Sequence, residues 1–488
     1  MAVCLEVALI SGKRAKVEAE PSWLLERVRN QARCTLGCGS GVLLGPSGDF
    51  LAKTASVADA GLRTGDVLTL HIGEVRVAAT QRAFAALLAD GSVATWGDPN
   101  GGGESGHVQA RLQRVREIQA NDESFAAILQ DGSVVTWGCA DGGDSEAVQE
   151  RLRDVAAIQA AGFAFAALLK DGSVVTWGDP VNGGDCSAVQ RELVNVQKIH
   201  ATKYAFAALL EGGPVVTWGS PIFGGDSTPV QMQLGSNVKG VMAAGFAFAA
   251  LLDDGSVAAW GVPDTGGDTS SVQDELENVR QIQATDGAFA ALLEDGAVVT
   301  WGSPEHGGDS SSVQHQLQAV ILEQLRQAIQ ANEGAFAALC SNGAVVTWGV
   351  PAYGGDSAAV QEQLMQAQQL QCTESAFAAV LRDGRVVTWG QPGAGGDSSA
   401  VQKQLENVQC IQASYTAFAA LRADGTVVTW GDPACGGDSR GVREQLTKVK
   451  HIAGNQGAFA AIRLDGSIVT WGEVDSGGDS SAVRDQLA

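Results

Sequence analysis

The sequence predicts a mainly β protein: a small mixed unit over residues 1–74, then an array of ten short β units over 75–488. Three observations carry this reading. First, Trp-Gly recurs ten times, at Trp96, Trp137, Trp177, Trp218, Trp260, Trp301, Trp348, Trp389, Trp430 and Trp471. The interval is nearly constant, at roughly 40 residues, and a fixed period of this size marks a repeat architecture. Second, the run before each Trp, in most units Val-Val-Thr, is the β-branched kind that strands favour. Third, an Asp-Gly pair or a close variant separates that run from an earlier apolar one, a strong local signal for a tight hairpin.

The N-terminal unit reads element by element. Residues 3–10 alternate as a strand, Ser11-Gly12 turns, and 13–20 alternate back. Pro21-Ser22 opens a helix with Trp23, Leu24, Val28 and Ala32 along one side. Val42-Leu43-Leu44 and Val67-Leu68-Thr69-Leu70 are two further strands, the second led in by the turn Arg63-Thr64-Gly65-Asp66. A hairpin, a helix and two strands in so short a stretch form a β-grasp pattern. The stretch resembles ubiquitin-like domains over residues 2–73, through Val17 to Ser22 before the helix and Ala60-Gly61-Leu62 to Asp66–Leu70 at the end. In that family Leu43 would match an apolar recognition position, while His71 stands where another patch member is apolar. The chain continues past Ile72-Gly73, so this unit carries no free diglycine end for conjugation. Capping the array is its simplest role.

The array starts at Val75, and its cleanest hairpin runs from Ala288 to Gly302. Neither strand alternates apolar with polar, so each hairpin is expected to be covered on both faces by its own copies. A unit reads as a strand (Gln281–Ala284), a loop, a strand (Phe289–Leu293), an Asp-Gly turn expected to be type I′, and a strand (Val298–Trp301). A Gly-Gly-Asp-Ser loop and a short helix (Ser312–Leu317) return the chain. The one longer interval, between Trp301 and Trp348, comes from an insertion around Ala319–Gln327 that lengthens this helix-like segment. Ala291–Gly302 resembles the repeat of the regulator-of-chromosome-condensation family, whose blades join a leucine-rich strand through Asp-Gly to a strand ending in Trp-Gly. That resemblance implies a β-propeller used for guanine-nucleotide exchange on a small GTPase, for chromatin docking, or as a module of ubiquitin ligases. Here the family's Gly-Gln-Leu-Gly gives way to Gly-Gly-Asp-Ser and there are ten units in place of seven. Both a closed propeller and an open superhelical array are compatible with the pattern.

Composition narrows the function classes. The net charge is −23, and residues 1–74 are balanced, so the repeats hold the whole excess. Such a surface repels phosphate backbones, which argues against nucleic acid as partner. No apolar run reaches the ~20 residues that span a bilayer, and the start lacks the basic segment of a secretory signal. Nine cysteines without metal-ligand spacing, including an isolated Cys34/Cys38 pair, point to a reducing compartment, cytoplasmic or nuclear, and to no bound metal.

Several motifs invite chemistry and receive a simpler explanation. Gly-Gly-Asp recurs from Asp144 to Asp479, with Glu104 in the first unit, and an array of carboxylates suggests calcium. Only one acid per unit is fixed and Ser or Thr usually follows, so the Asp is read as a helix-start cap. The ten tryptophans, one per unit at one strand end, are read as core. No phosphate-binding Gly motif opens a helix, and six scattered histidines form no catalytic set. The sequence therefore predicts no enzyme and no cofactor.

What remains is partner binding. Strand direction places the loop before the middle strand and the loop after Trp-Gly on one face, opposite the Asp-Gly turns. These loops differ most between units and carry Phe163, Tyr204, Phe223, Phe246, Tyr353 and Tyr415. Aromatic residues on loops of a rigid scaffold are the expected contact set for a protein partner. The expected function is a non-catalytic interaction scaffold. The alternative is a ubiquitin-ligase regulatory subunit or an exchange factor, as the resemblance implies.

Overall fold

The computed structural model describes residues 2–9, 12–36, 41–49, 51–72, 75–235, 237–313, 329–340 and 343–487. In the N-terminal part, β1 (Val3–Ala8) pairs antiparallel with β2 (Arg14–Ala19), and α1 (Leu25–Leu36) follows. Strands β3 (Gly41–Leu44) and β4 (Val67–Ile72) complete a sheet of order β2-β1-β4-β3, with β4 parallel to β1. Leu25, Val28 and Ala32 of α1 pack on Leu5, Val17 and Leu68. The helix begins at Leu25, later than Pro21-Ser22 suggests. Leu24 is a correction: it precedes the helix, forms an isolated bridge to Ser56, and is 47% exposed. Leu43 is a second correction. Alternate residues of β3 face the core, and Leu43 lies on that face, so it is unavailable to a partner. Cys38 lies outside the described residues.

Each repeat is a separate three-stranded antiparallel sheet, and there are ten. In unit 6 the strands are Val279–Ala284, Ala288–Leu293 and Val298–Gly302, with Phe289 opposite Trp301. In all ten units that Phe stacks on that Trp, the ring centroids 5.0 to 5.4 Å apart. Side chains alternate between two buried faces: Ala288, Ala290 and Leu292 pack toward unit 7, while Phe289, Ala291 and Val299 pack toward unit 5. This is why the strands show no polar alternation. Small alanines on one side admit the large Phe and Trp of the next unit, so each blade keys into its neighbour.

Units are also joined by hydrogen bonds. The indole N–H of Trp301 donates to the carbonyl of Gly266 in the preceding unit at 2.9 Å. The amide of Val196 donates to Gly172 O, the Asp-Gly turn glycine of the unit before, at 2.9 Å. The last unit repeats the indole bond and the packing with the first. Trp96 Nε1 donates to Gly477 O at 3.0 Å, and Phe84 and Trp96 share a core with Ala458, Ala460 and Ile462. Between the propeller and the open superhelix, the structure takes the closed arrangement: a ring of separate sheets closed by packing, with no strand exchanged between units among the described residues.

Two local expectations are corrected. The hairpin turn is not type I′, which requires positive φ at both central residues. Leu293 N bonds to Ala297 O across the three residues Glu294-Asp295-Gly296, and only the Gly is left-handed, at φ 89°. This is the three-residue hairpin with a glycine bulge, and Asp295 Oδ1 accepts from Ala297 N at 2.9 Å to hold it. The return is shorter than the expected helix in most described units: a turn or a single 3-10 turn, as at Ala358–Val360, while the last unit continues into a helical turn, Arg484–Leu487. Most of Ser312–Leu317, with the insertion, falls in residues 314–328, outside the described set.

Candidate functional site: an axial opening and its aromatic rim

Gly-Gly-Asp-Ser builds the loop that leads to the site. Asp397 Oδ1 accepts from Ser399 N at 2.8 Å and closes the turn that enters the return segment. The 3-10 turn Gln402–Gln404 has Val401 at its N-cap with no side-chain cap bond, so the expected helix-start cap is corrected to a local turn. Ser398, next to Asp397, is buried and bonds Thr388 of the Trp-Gly strand at 3.0 Å. Between strand end and loop, Thr202 Oγ1 donates to Phe223 O at 3.1 Å, and equivalent bonds join Thr80 to Gly101 and Thr373 to Ala394. The loop before the middle strand and the loop after Trp-Gly therefore lie side by side in each of these units.

All ten units bring the residue two positions before the middle strand to the ring axis. Gln81, Asp122, Gly162, Lys203 and Gly245 come from the first five units, and Asp286, Glu333, Glu374, Tyr415 and Gln456 from the others. Together with their strand ends they line one opening of about 930 Å³. Their backbones link as a belt: Gln81 N donates to Asp122 O at 3.0 Å, Lys203 N to Gly245 O at 3.0 Å, and Gln456 N to Gln81 O at 3.2 Å. The belt fixes the backbone and leaves the side chains to vary.

The electrostatics around the axis are uneven. Lys203 Nζ sits 2.7 Å from Asp286 Oδ2. Burial alone would lower the Lys203 pKa, but the bond to Asp286 and the charges of Asp286 and Asp122 outweigh it and raise the value. Burial pushes the Asp122 carboxyl up; the Lys203 ammonium and a hydrogen bond with Gln81 offset only part of that, and Glu123 adds to the rise. Across the opening, Tyr415 Oη donates to Glu333 Oε1 at 3.2 Å. Hydrogen bonding to Glu374, burial and the Glu333 charge hold the Tyr415 hydroxyl well above its usual range, hence protonated.

Of the aromatic residues singled out from the sequence, four come together. Tyr204 lies 6.3 Å from Phe163, 4.8 Å from Phe223 and 6.0 Å from Phe246, centroid to centroid, and Phe223 lies 5.6 Å from Phe246. All four are half-buried, and Lys203 Nζ stands 5.4 Å over the Phe246 ring. In the loops after Trp-Gly of units 3 and 4, Val181 and Ile222 are 69% and 70% exposed. Tyr415 is apart from this cluster, at the acidic side of the axis. Tyr353 is elsewhere again, packed over Gly334 and partly buried in the core between units 7 and 8. The axial carboxylates were missed from the sequence, although one position per unit with varying charge could have been found by aligning the units against one another.

Among the described residues no group of three His, Cys, Asp or Glu could hold a metal ion, and no helix is long and apolar enough to cross a membrane.

By fold and site, the chain is a ring of repeated three-stranded β units that gathers variable loops around one axis. No protein-family description matches it, and no curated protein does. Solved structures resemble it in part. The ectodomain of the receptor kinase CR4 of Physcomitrella patens is 16% identical, covers 56% of this chain and 73% of its own, and has a TM-score of 0.32. The computationally designed Ika8 protein is 16% identical over 66% of this chain and 97% of its own, with a TM-score of 0.31. Yeast RCC1 (Prp20), solved bound to Kap60, is 15% identical over 58% and 81%, with a TM-score of 0.33. Likeness at this level carries neither activity nor partner over to this chain.

Proposed function

We propose that the chain is a non-catalytic scaffold that binds a protein partner on the loop face around the axial opening. The observation that supports it is the convergence of Phe163, Tyr204, Phe223 and Phe246, contributed by three successive units, into one contiguous half-buried cluster at the rim. Aromatic anchors in the centre of a contact surface supply most of the binding energy at protein interfaces. A belt of backbone hydrogen bonds under the loops limits the entropy lost when they engage. In this reading residues 1–74 form a ubiquitin-like β-grasp domain, residues 75–488 form the binding ring, and the protein works in the cytoplasm or nucleus.

The test is affinity capture with the full chain, its partners read by mass spectrometry. Changing Tyr204, Phe246 and Tyr415 to Ser should abolish recovery while the ring stays folded, and Glu294→Gln on the turn face should leave it intact. Equal loss from both faces, or from neither, would refute the assignment. Nucleotide release from a small GTPase, or recovery of ubiquitin-ligase components, would replace the scaffold reading with the alternative that the sequence resemblance implies.

A further inference from the structure

The loop face has a second property besides its aromatic cluster: its sign. At the axial position four carboxylates, Asp122, Asp286, Glu333 and Glu374, accompany one ammonium, Lys203. The loops after Trp-Gly add further acids, among them Asp264, Glu305 and Asp475, all exposed. Two strong cations stand in the loops before the middle strands, and both are engaged. Lys203 pairs with Asp286 at 2.7 Å, and Arg82 pairs with Asp98 at 3.3 Å and with Asp475 at 3.9 Å. The face therefore presents apolar rings with the paired Lys203 and Asp286 on one side of the opening and the carboxylates of Glu333 and Glu374 on the other.

We infer that the occupant of this face is a protein segment carrying lysine or arginine side chains beside an aliphatic or aromatic anchor. The inference rests on the loop-face reading above and names the partner's chemistry. The anchor lies on the Tyr204 cluster, flanked by Ile222 and Val181. The basic side chain reaches into the axial opening toward Glu333 and Glu374. The aromatic cluster supplies area, and the carboxylates supply register and rejection of the wrong sign. An acidic segment would meet like charge, and a purely basic one would leave the rings uncovered. The opening's volume of about 930 Å³ accommodates a long side chain with its hydration.

Selection of a random dodecapeptide library on the full chain at physiological salt tests this, with fluorescence anisotropy of the enriched peptides. The expected outcome is enrichment of Lys or Arg next to Phe, Trp, Leu or Ile. Affinity should fall about tenfold in a Glu333→Gln, Glu374→Gln variant. A second variant, Asp264→Asn with Glu305→Gln, changes only exposed side chains and should show a smaller loss, so a folding defect in the first cannot decide the result. Thermal unfolding checks each variant. Enrichment of neutral or acidic peptides that still depend on Tyr204 and Phe246 overturns the basic partner and leaves the loop face standing. Basic peptides that ignore Tyr204 and Phe246 but lose affinity with Glu211→Gln and Glu294→Gln, on the turn face, overturn both. Failure to enrich any peptide also overturns the inference.

Discussion

The indole N–H of Trp96 donates to the carbonyl oxygen of Gly477, 3.0 Å away and 381 residues further along the chain. The same bond joins Trp137 to Gly102 and Trp301 to Gly266, each 35 residues back in sequence. The seam between the last and first units therefore carries the same indole bond as these internal junctions. It needs no strand borrowed from the opposite terminus, because each sheet is already complete.

Replacing Trp96 by Phe keeps the ring stacked on Phe84 and removes the donor. The Gly477 carbonyl then stays buried without it, at a cost of about 1–3 kcal/mol. Hydrogen exchange should rise in the units on either side of the seam and stay unchanged in unit 6, as nearest-neighbour stability requires. Trp301→Ala should act in the same local way around unit 6, at ~3–5 kcal/mol, because it also leaves a cavity. A uniform rise along the whole chain would contradict the junction-by-junction picture.

Gly266 is a sharper case. Its φ is 99°, and a Cβ there would lie 2.5 Å from Cδ2 of Phe289 in the next unit. Gly266→Ala should lose about 1–3 kcal/mol from backbone strain alone, and more from the overlap. Gly240, with nothing within 4 Å of a built Cβ, is the control: Gly240→Ala should stay within about 0.5 kcal/mol. Thermal unfolding of the two variants measures the difference, and similar midpoints would refute the packing argument.

Asp90, in the first hairpin turn, fastens the N-terminal unit to the ring. Its carboxylate stands 3.3 Å from Lys53 and 3.8 Å from Arg29, the latter buried on α1. Burial would raise the Asp90 pKa, but hydrogen bonds from Ser92 and the Lys53 charge more than compensate, and the net shift is downward. A carboxylate with a depressed folded pKa stabilises the docked state above its unfolded value, about 3.9, and loses that contribution as pH falls through the lower folded value. Asp90→Asn should raise exchange around Lys53 and α1 at neutral pH. The difference from the wild type should shrink below the unfolded value and vanish only in acid below the lower folded value. A difference that persists there would show that the charge is not what holds the unit.

The short-range features were legible in the sequence. Phe289, Gly296 and Trp301 belong to one hairpin, and their pairing depends on contacts inside it. The return segment misled because Val, Gln and Leu recur there at helical spacing. In the structure the glutamines serve another purpose. Gln402 Nε2 donates to Val386 O at 2.9 Å and its Oε1 accepts from Ser398 at 2.8 Å. The glutamine satisfies a carbonyl of the last strand, the sheet's edge, which would otherwise be open to a further strand. Leu405 is buried at the end of the segment and anchors it against the next sheet. These side-chain bonds hold the backbone to one 3-10 turn.

Local preference in the chain settles the repeating unit: two apolar runs, a glycine at the turn, one Trp and one Phe per repeat, and burial on both faces. Those features follow from backbone propensity and from the absence of polar alternation. Closure of ten units into a ring is a matter of packing between them. It requires the rotation between neighbours to amount to a tenth of a turn, and that angle arises from how alanines on one blade receive Phe and Trp of the next. The ring, in turn, places Glu333 beside Tyr415, 82 residues away, and Tyr204 between Phe163 and Phe246. Side chains a whole repeat apart have no local reason to meet. They share a site because each occupies the same place in its unit, and the ring turns that shared place toward a common axis.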